Sequence, residues 1–136
     1  MSDLAQVLAH LEAVRAETKE LLANLPDAAL DRKHPESGRT VRFYLQRLSE
    51  HQRQHVVQIR KIRRHLAAQP TEAQDILALA DTAHGEMLAS LVGLGDEQAS
   101  ATPYPGGWSA VQVIGHVAKA EERYREALAA ALANQG

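Results

Sequence analysis

The chain has 136 residues, a formal net charge of −2 and no cysteine. This length suits one domain with one core, so we treat residues 1–136 as a single domain. The lack of cysteine excludes disulfides, thiolate catalysis and thiolate metal sites, and the charge gives no attraction toward nucleic acid. We find neither a signal sequence nor an apolar run long enough to span a membrane, and therefore expect a cytoplasmic protein.

The composition favours an all-α fold. Hydrophobic residues make up 45% of the chain, which argues against disorder, and aromatic residues only 4%, which argues against sheets. Four segments carry apolar residues at three- and four-residue steps, the pattern of amphipathic helices. The first runs roughly from Leu4 to Leu25 and the second from about Val41 to Leu66. The third starts after Thr71 and ends before Gly93, and the fourth starts at Ser109.

A residue that can cap a helix precedes each segment. These caps are Ser2 or Asp3, Thr40, Thr71 and Ser109. Thr71 and Ser109 are each followed three residues later by a glutamine, which predicts capping boxes. Because Ser109 has this sufficient role, we interpret it as a cap and not as a nucleophile.

The two halves of the chain are weakly similar. Residues 20–25 align with residues 86–91, and Thr40 then aligns with Ser109. This repeat predicts two pseudo-symmetric helical hairpins, at about residues 3–67 and 71–133. Chance similarity between two amphipathic hairpins is the alternative.

Two histidines of the second segment have the spacing of metal ligands. His51 and His55 are four residues apart, so both side chains can reach one ion from a single helix face. Such a pair is a common half-site for zinc, nickel or iron. Both also fall on the apolar stripe, where unpaired imidazoles are costly to bury. The alternatives are a solvated pair, or two core histidines bonded to neighbouring side chains.

His116, on the inner flank of the fourth segment, would complete a three-imidazole set. Such a set leaves positions open for water or substrate, as catalytic metals require. Alone, His116 would more often be a core or interface residue. We interpret the remaining histidines as structural or surface residues: His10, His34, His65 and His84.

Two longer motifs contain these candidate ligands. Residues 105–124 open a helix with Trp108-Ser109, then place His116 ahead of an acidic stretch that ends near an aromatic residue. Residues 48–59 contain Glu-His-x-x-x-His followed by Gln-Ile. In both motifs the sequence resembles the DinB/YfiT-like superfamily, and with their hairpin partners the motifs cover most of the chain.

The resemblance implies a four-helix bundle with a divalent metal held by His51, His55 and His116. Family members of known activity are mainly transferases and isomerases that use low-molecular-weight thiols. We therefore expect a metal-dependent thiol S-transferase or isomerase with a small-molecule substrate, although no thiol-binding signature is visible. A non-catalytic metal-binding or dimerising bundle is the alternative.

The order of the two motifs departs from the family pattern. The Trp-Ser…His hairpin usually comes first, whereas here it comes last. A circular permutation would explain this order. A homodimer that exchanges hairpins is the other explanation, and we expect a dimer.

Several further residues have two interpretations. Trp108 either anchors its loop to the core, which we favour, or forms a wall of the metal pocket. Glu50 and Glu121 are surface charges, or else bases and hydrogen-bond acceptors beside the metal. The basic residues of the second segment form a solvated face, or else a surface for an anionic thiol or nucleic acid. Since no aromatic residues are interleaved with them, we expect no binding to nucleic acid.

Overall fold

The computed structural model describes residues 2–134. The described residues are 71% helical and form no β-sheet; Lys33 and Thr40 make an isolated β-bridge. The helices are α1 (Asp3–Leu22), α2 (Val41–His65), α3 (Glu72–Ala89), α4 (Asp96–Ser100) and α5 (Ala110–Ala133). Four of them are long, which confirms the predicted all-α class of fold. None of the described helices is both long and apolar enough to cross a bilayer.

The four long helices begin at the predicted caps. Ser2 and Thr40 each accept a hydrogen bond from the backbone N–H three residues later, at 3.1 Å. Thr71 and Ser109 each form a complete capping box with the glutamine three residues later. Each cap pairs backbone donors that the first helical turn cannot satisfy by itself.

The two long loops contain short helical turns that the sequence pattern did not predict. A 3-10 turn spans Asp27–Ala29, and the five-residue α4 spans Asp96–Ser100. Segments this short carry no periodic apolar stripe, so periodicity cannot reveal them. The first helix also ends at Leu22, three residues before the predicted end.

Residues 2–92 form one compact unit that contains α1, α2 and α3. An apolar groove between α1 and α2 is lined by Thr18, Leu21, Leu22, Val41, Tyr44, Leu45 and Leu48. The connecting loop folds back on the start of α2, where Val41 and Arg42 donate backbone hydrogen bonds to Arg32 and Leu30. Ala29, which belongs to this loop, is buried at 1% exposure.

Residues 93–134 form a second compact unit that contains α4 and α5. The loop between these helices places the Tyr104 ring directly against Gly107. Ser109, at 4% exposure, is buried at the start of α5. The second unit is thus organised around the beginning of its long helix.

The apolar stripes remain exposed along the long helices. Leu8 is 49% exposed, Ile59 57%, Ile76 61% and Leu128 62%. The interpretation of a core-facing histidine pair on α2 is therefore wrong for the described chain, because His51 and His55 are exposed. Helical periodicity specifies which residues share a face, whereas burial requires contacts from other elements.

Candidate metal centre

The structure brings His51 and His55 together on one face of α2. Their Nε2 atoms lie 3.0 Å apart, and the ring centroids are separated by 4.5 Å with the ring planes at 83°. Residues four apart on a helix lie one turn from each other, which explains the approach. The two Nε2 atoms thus face each other at a hydrogen-bond distance.

This pair has the spacing that one divalent ion requires. Zinc–histidine bonds are about 2.0–2.1 Å long, so two nitrogens on one ion at an angle near 90–110° lie about 2.8–3.4 Å apart. The observed Nε2 separation of 3.0 Å falls within this range. Both side chains are exposed to solvent, so an ion has access to them. The two imidazoles therefore have the chemistry and the separation of two of the ligands that a divalent metal site needs.

Gln58 contacts the far side of the His55 ring. Its Oε1 atom lies 2.6 Å from His55 Nδ1, one helical turn along α2. Gln58 was not among the residues predicted to support the site. The three-residue spacing between His55 and Gln58 could have indicated this contact, because it places the two side chains next to each other on a helix.

A shallow groove on α2 adjoins the histidine pair. It is lined by Tyr44, Arg47, Leu48, His51 and Gln52. Arg47 also faces Glu50, with its Nη1 atom 3.8 Å from Glu50 Oε2. Glu50 is therefore engaged by a neighbouring cation in an exposed pair.

His116 lies on α5, in the second unit, against Trp108. The two ring centroids are 5.0 Å apart and the planes meet at 65°. Trp108 is 53% exposed, so its observed partner is His116 and not a buried core. The favoured prediction, that Trp108 anchors its loop to the core, is thus corrected.

The three predicted ligands are divided between the two units. Among residues 2–134, no group of three or more histidine, aspartate or glutamate side chains is positioned to hold a metal ion. His51 and His55 belong to the first unit and His116 to the second. The three-histidine site stays a prediction. The contact between His51 and His55 is the part of it that the structure describes.

His34 has a local role in the loop before α2. Its Nδ1 atom accepts hydrogen bonds from the backbone N–H groups of Glu36 and Ser37, at 3.2 and 3.1 Å. Its ring also meets Tyr44 edge-on, with centroids 6.3 Å apart. Because the turn uses its ring nitrogen, His34 acts in loop structure. The remaining three histidines are exposed: His10, His65 and His84.

Ser109 is occupied by its capping box. Its Oγ accepts from the backbone N–H of Gln112 at 3.1 Å, and Gln112 Oε1 accepts from the Ser109 N–H at 2.8 Å. This geometry, together with burial, matches a helix cap. No nucleophilic role needs to be assigned to the hydroxyl.

These features describe an all-α protein with a histidine pair on its second long helix and a Trp-Ser…His motif at its last. The chain belongs to the DinB superfamily, whose family model matches residues 2–59 and 68–135. The matched ranges include His51, His55 and His116. No curated protein and no solved structure matches the chain.

Proposed function

We propose that this DinB-superfamily chain binds a divalent transition metal, namely zinc, nickel or iron, through His51, His55 and His116. The observation that carries the proposal is the 3.0 Å separation between the Nε2 atoms of His51 and His55. Imidazole nitrogens suit these three metals. His116 is assigned as the third ligand from its place in the Trp108-Ser109…His116 motif.

We further propose that the metal serves a thiol S-transferase or isomerase acting on a small molecule. When bound, such an ion would lower the pKa of a coordinated thiol or water. The chain's own contribution beside the pair is Arg47, whose guanidinium lines the groove next to His51 and would attract the carboxylates of an anionic thiol. A cytoplasmic location, where such thiols are kept reduced, suits this activity.

The alternative is a metal-binding or dimerising protein without catalysis. The exposed apolar side chains of the long helices favour association with a second copy of the chain. We propose a homodimer in which two chains exchange hairpins, as the reversed motif order suggests. Light scattering after size-exclusion chromatography tests this, and a monomer at all concentrations would remove the dimer proposal.

The metal proposal is tested by metal analysis of protein purified without a histidine tag. We expect about one metal ion per chain in the wild type, because three histidines make one site. His51→Ala, His55→Ala and His116→Ala should each lose it. His10→Ala and His84→Ala are matched controls, since these exposed histidines lie outside the set. Absence of metal after reconstitution with zinc, nickel and iron would contradict the proposal.

The thiol proposal is tested with the metal-loaded protein, a low-molecular-weight thiol and an aryl halide. In the expected reaction, the thiolate sulfur forms a bond to carbon, and the halide leaves with the bonding electron pair. Turnover that disappears in His55→Ala would support catalysis. Stoichiometric metal without turnover across several thiols and electrophiles would favour the non-catalytic alternative.

A further inference from the structure

Both ring nitrogens of His55 are engaged. Nδ1 lies 2.6 Å from Gln58 Oε1, and Nε2 lies 3.0 Å from His51 Nε2. An amide oxygen can only accept a hydrogen bond, so Nδ1 of His55 must carry the proton. A neutral imidazole carries one N–H, which leaves His55 Nε2 with a free lone pair.

The same reasoning assigns the proton of His51. Because His55 Nε2 has a lone pair, the contact between the two Nε2 atoms requires His51 Nε2 to donate. For two neutral imidazoles, this geometry assigns opposite tautomers to the neighbouring histidines. His55 presents a lone pair at once, whereas His51 must move or lose its proton before its Nε2 can bind an ion.

We propose that Gln58 is a positioning residue that fixes the tautomer and ring orientation of His55, so that Nε2 is ready for the metal. This inference rests on the proposed metal site and adds the residue that prepares it. Hydrogen bonds to the distal nitrogen of a histidine ligand orient the ring and raise its basicity, and their loss typically lowers metal affinity by about 10–100-fold. Without Gln58, the His55 ring can rotate, and the proton can move to Nε2.

The first experiment reads the tautomers directly in the metal-free protein. Long-range 1H–15N spectra of labelled protein distinguish Nδ1–H from Nε2–H. We expect His55 as Nδ1–H and His51 as Nε2–H in the wild type. Gln58→Met should abolish the preference at His55, whereas Gln58→Glu should retain it, because a carboxylate oxygen still accepts the bond.

The second experiment measures zinc affinity by competition with a chromophoric chelator. We expect Gln58→Met to weaken binding about 10–100-fold and Gln58→Glu to restore it. Gln54→Met is the matched control on the same helix, since the Gln54 side chain makes no hydrogen bond among the described residues. Circular dichroism checks that α2 remains folded in every variant.

The outcomes separate this inference from the metal proposal. An Nε2–H tautomer of His55 in the wild type, or a tautomer and affinity unchanged by Gln58→Met, would overturn the role of Gln58 even if zinc binds. The expected tautomers without zinc binding would overturn the metal proposal and, with it, the preparation of His55 for an ion. The expected tautomers together with a weakened Gln58→Met site would support both.

Discussion

The beginnings of α2 and α5 are built alike, but the two helices carry different candidate ligands. Thr40 and Ser109 cap the two helices. A glycine with positive φ precedes each cap, namely Gly38 at 69° and Gly106 at 80°. The backbone devices that start a helix are thus repeated in both units, in agreement with the weak internal repeat of the sequence.

The candidate metal ligands do not follow this repeat. When the helices are aligned at their caps, His51 and His55 of α2 correspond to Ala120 and Tyr124 of α5. In the same alignment, His116 of α5 corresponds to Arg47 of α2. The comparison teaches that capping rules repeat a backbone locally, whereas the candidate ligands are distributed unequally, so neither long helix alone carries all three of them.

The largest expected effect is on zinc affinity when one candidate ligand is removed. His55→Ala should lower zinc affinity by more than about 100-fold, which exceeds the usual loss of a supporting hydrogen bond. It removes one member of the preformed pair together with its Gln58 contact. His116→Ala should cost less, because it leaves the pair on α2 intact. Isothermal titration with zinc measures both, and a larger loss in His116→Ala would contradict the primacy of the α2 pair.

The next effect is the loss of stability when each of the two caps is removed. Ser109→Ala should lower the free energy of unfolding by about 1–2 kcal/mol, at the upper end of cap substitutions, because Ser109 is buried and makes a complete capping box. Thr40→Ala should cost about 1 kcal/mol, since Thr40 is only partly buried. Urea denaturation gives both values. Equal losses would show that burial adds nothing to the Ser109 cap.

A smaller effect concerns the two turns before the caps. Gly106→Ala and Gly38→Ala should each lower stability by about 1 kcal/mol, because both positions have a left-handed backbone that disfavours a Cβ atom. Gly115→Ala is the matched control. Gly115 lies inside α5 with nothing within 4 Å of an added Cβ, so alanine there should stabilise by up to about 1 kcal/mol. The same sign at all three positions in thermal denaturation would refute this assignment.

The smallest effect lies at the turn between α2 and α3. Ala67 has a positive φ of 53°, in contrast to the glycines used before the two caps. Ala67→Gly should therefore raise the free energy of unfolding by about 0.5–1 kcal/mol. Ala68→Gly, one residue later, should not stabilise. A loss of stability in Ala67→Gly would show that this backbone strain is compensated elsewhere.

Much of the helical framework was predictable from the sequence. The caps at Ser2, Thr40, Thr71 and Ser109 are local motifs, so short-range rules located the starts of the long helices. The approach of His51 and His55 was equally local, because four residues make about one helical turn. Gln58 followed the same rule, but a glutamine at that spacing has too many other uses to be assigned from sequence alone.

The sequence by itself determined the helical class of fold, the helix starts and the shared face of the histidine pair, since each depends on residues a few positions apart. The tertiary structure decided which side chains become partners and which become buried. The His34 ring accepts hydrogen bonds within its own loop, and the Trp108 ring contacts His116. Ala29 and Ser109 are buried, while the apolar stripes remain exposed. The physical reason is that periodicity and capping are local, whereas burial depends on contacts between elements far apart in the chain.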